Sequence, residues 1–182
     1  MTLEEIITTR RSVRSYTDKP VSKETVLKLL DMARWAPYAS ECWRFVAVTE
    51  DDGKALLAKA ARQDFIATAP VIIVVGADTE VFAEKGSVWH RWDAYKWRGL
   101  FYIQDTAAAI QNLMLMAAEM GLGTCWIGSF NEGDVSKAVG FPAAVRPVAM
   151  IPVGHPAKPQ KKSERAPLEN FVSWEKYAAA AK

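Results

Sequence analysis

Three arginines and a serine stand close together near the start of the chain and are its most distinctive chemical pattern. They are Arg10, Arg11, Ser12 and Arg14. Guanidinium groups and a hydroxyl suit the oxygen atoms of a phosphate, so the pattern predicts an anion clamp. The alternative is a solvated helix end, where positive charge suits the helix dipole.

A second basic segment, HPAKPQKKSER, occupies residues 155–165. A run of charges of this kind is usually a solvated surface loop. The two basic segments together could also bind nucleic-acid phosphates. A net charge of +2 over 182 residues argues against that function, because nucleic-acid binding depends on many cations.

Several other functional patterns are absent from the sequence. No GxGxxG motif follows a predicted strand and opens a helix, since Gly121-x-Gly123 closes a helix instead. Cys42 and Cys125 form neither a CxxC pair nor a metal-ligand spacing, and the two histidines are far apart. We therefore expect no metal. The N-terminus has no secretory signal pattern, so the simplest expectation is a cytoplasmic protein with reduced thiols.

A long apolar helix at residues 104–120 is the element around which the rest is expected to pack. It is apolar around most of its circumference, which is typical of a deeply buried helix. The apolar run is too short and too interrupted by polar residues to cross a membrane. Gly121 and Gly123 end this helix, and residues 124–127 follow as a short buried strand. The pattern thus predicts a central helix that leads into a central strand.

The other elements alternate along the chain. Helices are predicted after the caps Thr2 and Ser22, at 51–61, from Asn131 to about 139, and at 174–181; strands are predicted at 44–49, 70–77 and 146–154. The continuous apolar run at 70–77 predicts a strand buried on both faces. Two prolines place 146–154 at a sheet edge or a bulge. Together these elements predict an α+β or α/β domain with three layers.

Residues 79–102 are rich in aromatic side chains that do not share one helical face. They could form a core or a subunit interface built from aromatic area. They could instead form a lid of rings over a planar ligand, in which case Trp92 and Tyr95 would contact a substrate. Both interpretations stay open at this point.

Four strings carry a resemblance to a known family. They are RRSVR at 10–14; AP at 36–37 followed by WRF at 43–45; DTAAAIQNL at 105–113 followed by GLGTCWIG at 121–128; and VGHP at 153–156 followed by RAPLE at 165–169. Each string alone is a weak signal, but their order and spacing extend over essentially the whole chain. On these strings the chain resembles the nitroreductase family of FMN-dependent oxidoreductases.

The resemblance implies a fold, an assembly and a cofactor site. Residues 1–182 would form a single FMN-binding domain, a three-layer α+β fold with a central mixed sheet flanked by helices. Two chains would form an intertwined homodimer with FMN at the subunit interface. The implied cofactor-binding residues are Arg10, Arg11, Ser12, Arg14, Pro37, Tyr38, Ala39, Ser40, Trp126, Ile127, Gly128, Ser129, Lys162 and Arg165.

The resemblance also implies a role for some of these residues. Arg10 and Ser12 would contact the phosphate and the ribityl chain of FMN, and Arg14 would approach the pyrimidine edge. Arg165 would be a second phosphate arm, with Lys162 or Lys161 in place of another basic residue of the family. The backbone N–H of the turn at residues 128–129 would face flavin N5.

One loop departs from the family pattern. The family carries a longer serine-rich loop with Asn and Gln-Pro, which reaches the flavin of the partner, whereas residues 38–42 here are YASEC. Glu41 would therefore bring a carboxylate to the substrate cleft and disfavour acceptors that carry a carboxylate. The alternative is that Glu41 faces solvent or pairs with Arg44.

The resemblance implies an oxidoreductase that takes electrons from NADH or NADPH. By a double-displacement hydride mechanism on FMN it would pass them to nitroaromatics, quinones or similar electron-poor small molecules. No side chain is an evident catalytic acid, so the protein would supply binding and electrostatics. Two alternatives stay open: specialised flavin chemistry, such as reductive dehalogenation or flavin breakdown, and a non-catalytic phosphate- or nucleic-acid-binding module. We expect neither a nucleic-acid partner nor a membrane.

Overall fold

Helices and strands alternate along the chain in the computed structural model, which describes residues 1–81, 94–161 and 164–177, with side chains outside 94–100. The helices are α1 (Leu3–Thr9), α2 (Lys23–Ala33), α3 (Asp51–Ala61), α4 (Ala94–Glu119) and α5 (Glu132–Val139). The strands are β1 (Trp43–Val48), β2 (Val71–Asp78), β3 (Gly123–Thr124) and β4 (Val145–Gly154). Short 3-10 turns occupy Asp64–Thr68 and Leu168–Asn170.

Side-chain caps begin three helices where the sequence predicts them. At α1, Thr2 accepts a hydrogen bond from the backbone N–H of Glu5 at 3.2 Å, and the Glu5 carboxylate accepts from the Thr2 N–H at 2.7 Å. This reciprocal pair is the predicted capping box. Ser22 and Asn131 accept from the third residue of α2 and α5, at 3.2 and 2.9 Å. The caps satisfy backbone donors that have no partner within the helix.

The four strands form one sheet in the order β1-β2-β4-β3, and each neighbouring pair is antiparallel. Val74 of β2 lies opposite Val46 on one side and Met150 on the other. Within the described residues, the parallel part of the expected mixed sheet is confined to one bridge, between Ser12 and Thr124. That bridge attaches the N-terminal segment to the sheet edge.

Helices lie on both faces of the sheet because the side chains of β2 alternate between two hydrophobic clusters. One cluster joins β2 to α2 and α4 through Leu29, Val71, Ile73, Val75, Ile110 and Leu113. The other joins β2 to α3 and α5 through Leu57, Ala61, Ile72, Val74 and Val135. The continuous apolar run therefore belongs to a strand buried on both faces, as predicted, and the three-layer α+β fold is confirmed.

Helix α4 is the long buried element that the sequence predicts, but it begins at Ala94 rather than at residue 104. The sequence did not predict the first turns of this helix, because aromatic residues fall on every side of a helical projection there. Its end matches the prediction. Gly121 has φ +73°, and the N–H of Leu122 donates to the carbonyl of Ala117 at 2.8 Å.

The positions of β3 and β4 in the sheet differ from the prediction, which put residues 124–127 at the centre and residues 146–154 at an edge or a bulge. β3 has two residues and lies at the edge, whereas β4 is central. Farther along, Ile127 and Met150 exchange two hydrogen bonds of 3.0 Å. Pro152 of this central strand lies opposite Ile72 of β2. The predicted bulge is present, since the register between β2 and β4 shifts next to Pro147.

The predicted C-terminal helix is wrong for its described part. Residues 174–176 form bends, Tyr177 has no regular structure, and the rest of the predicted helix lies outside the described residues. Trp174 and Tyr177 are 85% and 89% exposed. A short segment without a packing surface does not offset the cost of nucleating a helix, whatever its intrinsic propensity.

Candidate functional site

Backbone pairing places the N-terminal arginines beside β3. The N–H of Val13 donates to the carbonyl of Thr124 at 2.8 Å, next to the parallel bridge between Ser12 and Thr124. Gly123 makes this approach possible, because a Cβ there would lie 2.6 Å from Cγ2 of Val13. The absence of a side chain at Gly123 thus sets the position of the segment that carries the arginines.

A second set of backbone contacts brings the segment after β4 to the same place. The N–H of Thr17 donates to the carbonyl of His155 at 2.9 Å, and the N–H of Ala157 donates to the carbonyl of Ser15 at 3.0 Å. The buried hydroxyl of Tyr16 donates to the carbonyl of Val13 at 2.7 Å. Burial also raises the pKa of this phenol. The two basic segments of the sequence are therefore neighbours.

These two segments enclose a cavity of about 560 Å³, which we call the cationic cavity. Its lining residues are Arg10, Arg11, Ser12, Arg14, Ser15, Lys158, Pro159, Gln160, Lys161 and Arg165. Six of them are cations, and none of the described lining residues is acidic. The volume lies in the range of about 300–1,000 Å³ that is usual for small-molecule sites. The residues of the predicted anion clamp thus line a concave site that the N-terminal segment shares with the segment after β4.

Arg11 combines a structural contact with a donor that has no partner. Its Nη1 donates to the carbonyls of Thr8 and Arg10 at 2.8 and 2.6 Å, which satisfies acceptors at the end of α1. Its Nε is buried and has no hydrogen-bond partner among the described residues. A buried donor left unpaired is costly, so this atom favours an anionic or polar ligand in the cationic cavity.

Cys125 interacts with Ser12 and Arg14 of the cationic cavity and is 1% exposed. Burial raises the pKa of its thiol, although the positive charge of Arg14 and a hydrogen bond with Ser12 act in the opposite direction. The thiol is therefore protonated at neutral pH. A protonated, buried thiol is not a nucleophile, so Cys125 belongs to the packing of the site.

The loop at residues 37–42 is held by a buried carboxylate of α4. Asp105 is 5% exposed and accepts hydrogen bonds from the N–H of Ala39 at 3.1 Å and of Ser40 at 3.0 Å. Ser40 is 1% exposed, and its hydroxyl has no hydrogen-bond partner among the described residues. Pro37 and Tyr38 are exposed instead. The outer surface of this loop is thus made by Pro37 and Tyr38, and the loop does not line the cationic cavity.

Glu41 is exposed, and its side chain is not the partner of Arg44. The guanidinium of Arg44 forms an ion pair with Asp78 at 2.6 Å. It also donates to the backbone carbonyls of Glu41 and Trp43, at 3.2 and 3.0 Å. Arg44 therefore fixes the end of the loop through its backbone and leaves the carboxylate of Glu41 at the surface.

The turn that follows β3 lies beside a separate cavity of about 180 Å³. Gly128 lines this cavity together with Ile103, Phe130, Glu132, Arg146, Pro147 and Val148. Arg146 makes a bidentate pair with Glu132, at 2.9 and 2.8 Å, and donates to the hydroxyl of Tyr102 at 3.0 Å. Gly128 and Ser129 are exposed, Trp126 is 38% exposed, and Ile127 is buried.

Not every predicted site residue can be placed. Arg10, Arg11, Ser12, Arg14 and Arg165 share the cationic cavity, whereas 37–40 and 126–129 lie outside its lining. Trp92 and Lys162 lie outside the described residues. Tyr95 belongs to α4 by its backbone, and its side chain is not described.

Two features of the site were not identified from the sequence. Asp105 was part of a family string without a role, although a carboxylate within an apolar helix is itself a signal of a buried contact. The Arg146–Glu132 pair joins residues that are 14 positions apart. No short-range sequence pattern predicts such a pair.

The fold and the cationic cavity together indicate a protein that binds a small molecule. A three-layer α+β domain with a cationic cavity between its two terminal segments suits a small ligand that carries phosphate. Among the described residues no helix is long and apolar enough to cross a membrane, and no group of three His, Cys, Asp or Glu side chains could hold a metal ion.

Comparison with known proteins gives the family. The model of the Nitroreductase family matches residues 7–67 and 54–155, which is well over half of the sequence. The chain belongs to the nitroreductase family. The resemblance that the four strings carry is thereby confirmed.

Individual relatives match over most of their length. YodC of Bacillus subtilis, provisionally named an NAD(P)H nitroreductase, is 30% identical over 197 residues, which cover 93% of this chain and 97% of YodC. A protein of the same organism named FMN reductase (NADPH) is 31% identical over 176 residues, covering 91% of this chain and 70% of the relative. The solved structure of the NfrA1 nitroreductase from B. subtilis has a TM-score of 0.85 and 25% identity, covering 98% and 76%.

Proposed function

We propose that this protein is an FMN-dependent oxidoreductase that takes electrons from NADH or NADPH and passes them to electron-poor small molecules. Membership of the nitroreductase family and relatives named NAD(P)H nitroreductase and FMN reductase support the activity and the cofactor. The observation that carries the proposal within this chain is the cationic cavity, where both basic segments meet.

The residues of the cationic cavity fit the phosphate end of FMN. Arginine forks and the hydroxyl of Ser12 are suitable donors for phosphate oxygens, and Nε of Arg11 is a buried donor without a described partner. A phosphate dianion would also reduce the mutual repulsion of the cations. The fit therefore rests on donor chemistry and charge as well as on volume.

Each residue of the site would have a simple task. Arg10 and Ser12 would bind the phosphate and the ribityl chain, with Arg165 as a second phosphate arm. Arg14 is exposed at the same cavity and would place positive charge at the pyrimidine edge of the ring. The exposed turn at residues 128–129 would offer a backbone N–H toward N5.

When bound, FMN supplies the hydride chemistry that links the nicotinamide donor to the acceptor. The chain's own groups bind the cofactor, orient it and stabilise negative charge near Arg14. Nitroaromatics and quinones are the acceptor class that suits this arrangement, because they accept electrons readily and are flat. Since no described side chain is an evident acid at the site, protons would come from water.

We also propose a homodimer in which each chain completes the other's site. The loop at 37–40 does not share the cationic cavity of its own chain, so its predicted contact with flavin needs a second copy. Large apolar side chains are also left at the surface: Leu3, Ile7, Trp35, Leu168, Phe171, Trp174 and Tyr177 are each at least half exposed. Apolar area of this extent is typical of a surface that a partner covers.

The absorbance spectrum of the purified protein tests the cofactor. We expect a bound flavin whose visible absorbance is bleached by NADH or NADPH and restored by a quinone or a nitroaromatic. Arg10→Ala and Arg165→Ala should each weaken FMN binding by about 1.5–3 kcal/mol, the usual contribution of a charge-assisted hydrogen bond. Lys28→Gln, an exposed change on α2, is the control. Equal FMN affinity in all three variants and the parent would show that the clamp is assigned to the wrong residues.

Light scattering tests the assembly. We expect a dimer that persists at micromolar concentration and carries one FMN per chain. A stable monomer that keeps its FMN would contradict the proposed assembly, because a single chain would then hold the whole site.

A further inference from the structure

We propose that Arg146 is a positioning residue for the flavin. Through its ion pair with Glu132 it holds the turn at residues 128–129, the turn whose backbone N–H is proposed to face N5. This inference rests on the proposed function and deepens it, because it names the side chains that keep the N5 contact in place. Arg146 acts on the backbone of the turn and not on the reacting atoms.

The path of the chain that leads to the turn carries the first step. Thr124 lies opposite Val153 of β4, and Ile127 lies opposite Met150, so three steps forward in this segment are three steps back in β4. Thr124 is also bridged to Ser12 of the cationic cavity. At about 3.3 Å per residue of extended chain, the turn begins roughly 13 Å beyond that bridge. This separation suits a cofactor whose phosphate and ring lie at the two ends of a ribityl chain.

Strand β4 holds the turn at both ends, which is the second step. Before the turn, Ile127 and Met150 exchange two hydrogen bonds of 3.0 Å. After it, the carboxylate of Glu132 accepts from the guanidinium of Arg146 at 2.9 and 2.8 Å, and such a fork fixes direction as well as distance. Arg146 also donates to the hydroxyl of Tyr102 at 3.0 Å, so α4 fixes the guanidinium from a third side.

The backbone donors of the turn carry the third step. Gly128 and Ser129 are exposed, and their N–H groups donate to no residue that the structure describes. Donors that are held in place before a ligand arrives need no reorganisation when it binds. The N–H of Asn131 donates to the carbonyl of Ala60 at 3.0 Å. Loss of the Arg146–Glu132 pair should therefore loosen the turn without detaching it.

The sign of the effect separates positioning from a direct action of charge on the ring. If the charge of Arg146 acted on the flavin, Arg146→Gln would slow hydride transfer to the ring. Glu132→Gln would speed it, because it leaves the positive charge unpaired. If the pair positions the turn, both variants slow the transfer. Replacing both residues should then be no worse than replacing one, since either single change already breaks the pair.

Stopped-flow reduction of the FMN-loaded protein by NADH or NADPH measures this effect. We expect the limiting rate to fall about twofold to fivefold in Arg146→Gln and in Glu132→Gln, the factor that the contribution of an exposed ion pair corresponds to. The Kd of the nucleotide should change by less than about twofold, because the pair orients the ring and does not bind the donor.

A matched control breaks an ion pair of similar exposure elsewhere. Asp31 pairs with Arg34 on α2, and its side chain is 47% exposed, against 48% for Glu132. Asp31→Asn should leave the limiting rate within about twofold of the parent. A control that slows reduction as much as Glu132→Gln would show a general effect of lost ion pairs and would overturn the proposal.

Nuclear magnetic resonance relaxation gives a readout that needs no catalysis. In the protein without nucleotide, we expect the backbone order parameters of Gly128 and Ser129 to fall in Arg146→Gln and Glu132→Gln and to stay unchanged in Asp31→Asn. Unchanged order parameters in the first two variants would overturn the role of the pair. Opposite effects of these variants on the limiting rate, or effects that add in the double variant, would overturn it as well.

The two levels of the proposal fail separately. A protein whose flavin neither nucleotide reduces would refute the proposed function, and the order parameters would still decide whether the pair holds the turn. A turn that loosens while the limiting rate stays that of the parent would refute the positioning of the flavin and leave the proposed function in place.

Discussion

Replacing Asp105 by asparagine should loosen the loop at residues 37–42 and reveal whether that loop contributes to FMN binding. The carboxylate of Asp105 is 5% exposed and accepts from the N–H groups of Ala39 and Ser40 at 3.0–3.1 Å. Asparagine has the same shape but only one acceptor atom. Its amide oxygen can keep one of these two donors, and its NH₂ group would face the other.

The expected magnitude follows from these contacts. Hydrogen bonds to a charged group contribute about 1.5–3 kcal/mol, and neutral ones about 0.5–1.5 kcal/mol. One donor becomes buried without a partner, at a cost of about 1–3 kcal/mol. Removal of a buried charge offsets part of this loss. We therefore expect Asp105→Asn to lower the free energy of unfolding by about 1–3 kcal/mol, and Asp105→Ala, which keeps neither donor, by at least as much.

Urea unfolding and FMN titration together form the assay. If the loop contacts the cofactor, ordering the loosened loop should cost about 1–2 kcal/mol of the free energy of FMN binding. The Kd of FMN would then be roughly 5–30 times higher. Glu119→Gln, on the exposed side of the same helix, should change stability by less than about 0.5 kcal/mol. An unchanged unfolding midpoint in Asp105→Asn would refute the role of the carboxylate. A lower midpoint with unchanged FMN affinity would refute the contact between loop and flavin.

Three further predictions concern groups around the site. The thiols of Cys42 and Cys125 are buried; burial, together with the nearby charge of Asp105, raises the pKa of Cys42 to about 12. Neither thiol should react with a disulfide reagent at pH 8 until the protein is unfolded, and Cys42 should be the more reactive one in Asp105→Asn; fast reaction of the folded parent would contradict the burial. A hydrogen bond from Arg146 lowers the pKa of Glu132, so the stabilisation is present above its ordinary value of 4.5 and is lost as pH falls through the lowered value. The pair is half exposed and screened by solvent, so Glu132→Gln should cost at most about 1 kcal/mol at pH 7 in urea unfolding, and this cost should shrink as pH falls below the ordinary value of the carboxyl and through its lowered pKa; a difference independent of pH would exclude the charge as its cause. Glu41→Gln should raise kcat/KM for carboxylated nitroaromatics relative to neutral quinones without changing the rate of flavin reduction, because the two half-reactions are separate; equal selectivity in steady-state assays would leave Glu41 as a surface residue.

Local chemistry explains why much of this protein could be predicted from its sequence. The capping box at Thr2 and the caps at Ser22 and Asn131 depend on contacts within three residues, so the pattern and the structure agree. The end of α4 at Gly121 is equally local, since it depends on one left-handed residue. The grouping of Arg10, Arg11, Ser12 and Arg14 in one cavity is predictable for the same reason, because they belong to a single segment of five residues.

Long-range pairing explains what the sequence could not supply. Two prolines suggested an edge for β4, but its position depends on β2, which lies about 75 residues earlier and covers its other side. The bond between Asp105 and Ala39 spans 66 positions. The two basic segments are neighbours because of the backbone hydrogen bonds of Thr17 and Ala157. No sequence pattern in either segment predicts these bonds. In each case the position is decided by a partner far away in the sequence.

The arrangement of the site also bears on the proposed homodimer. The cationic cavity is fixed by pairing with β3 and the end of β4, whereas the loop at 37–40 is fixed to α4 by Asp105. Both attachments are made of buried hydrogen bonds, so neither part can move to the other without breaking them. In the proposed homodimer, a cofactor that contacts both parts would receive the loop from a second copy. The exposed rings of Trp35 and Tyr38 lie next to or within that loop, so in the proposed homodimer part of the apolar surface that a second copy would cover lies beside the loop that would complete its site.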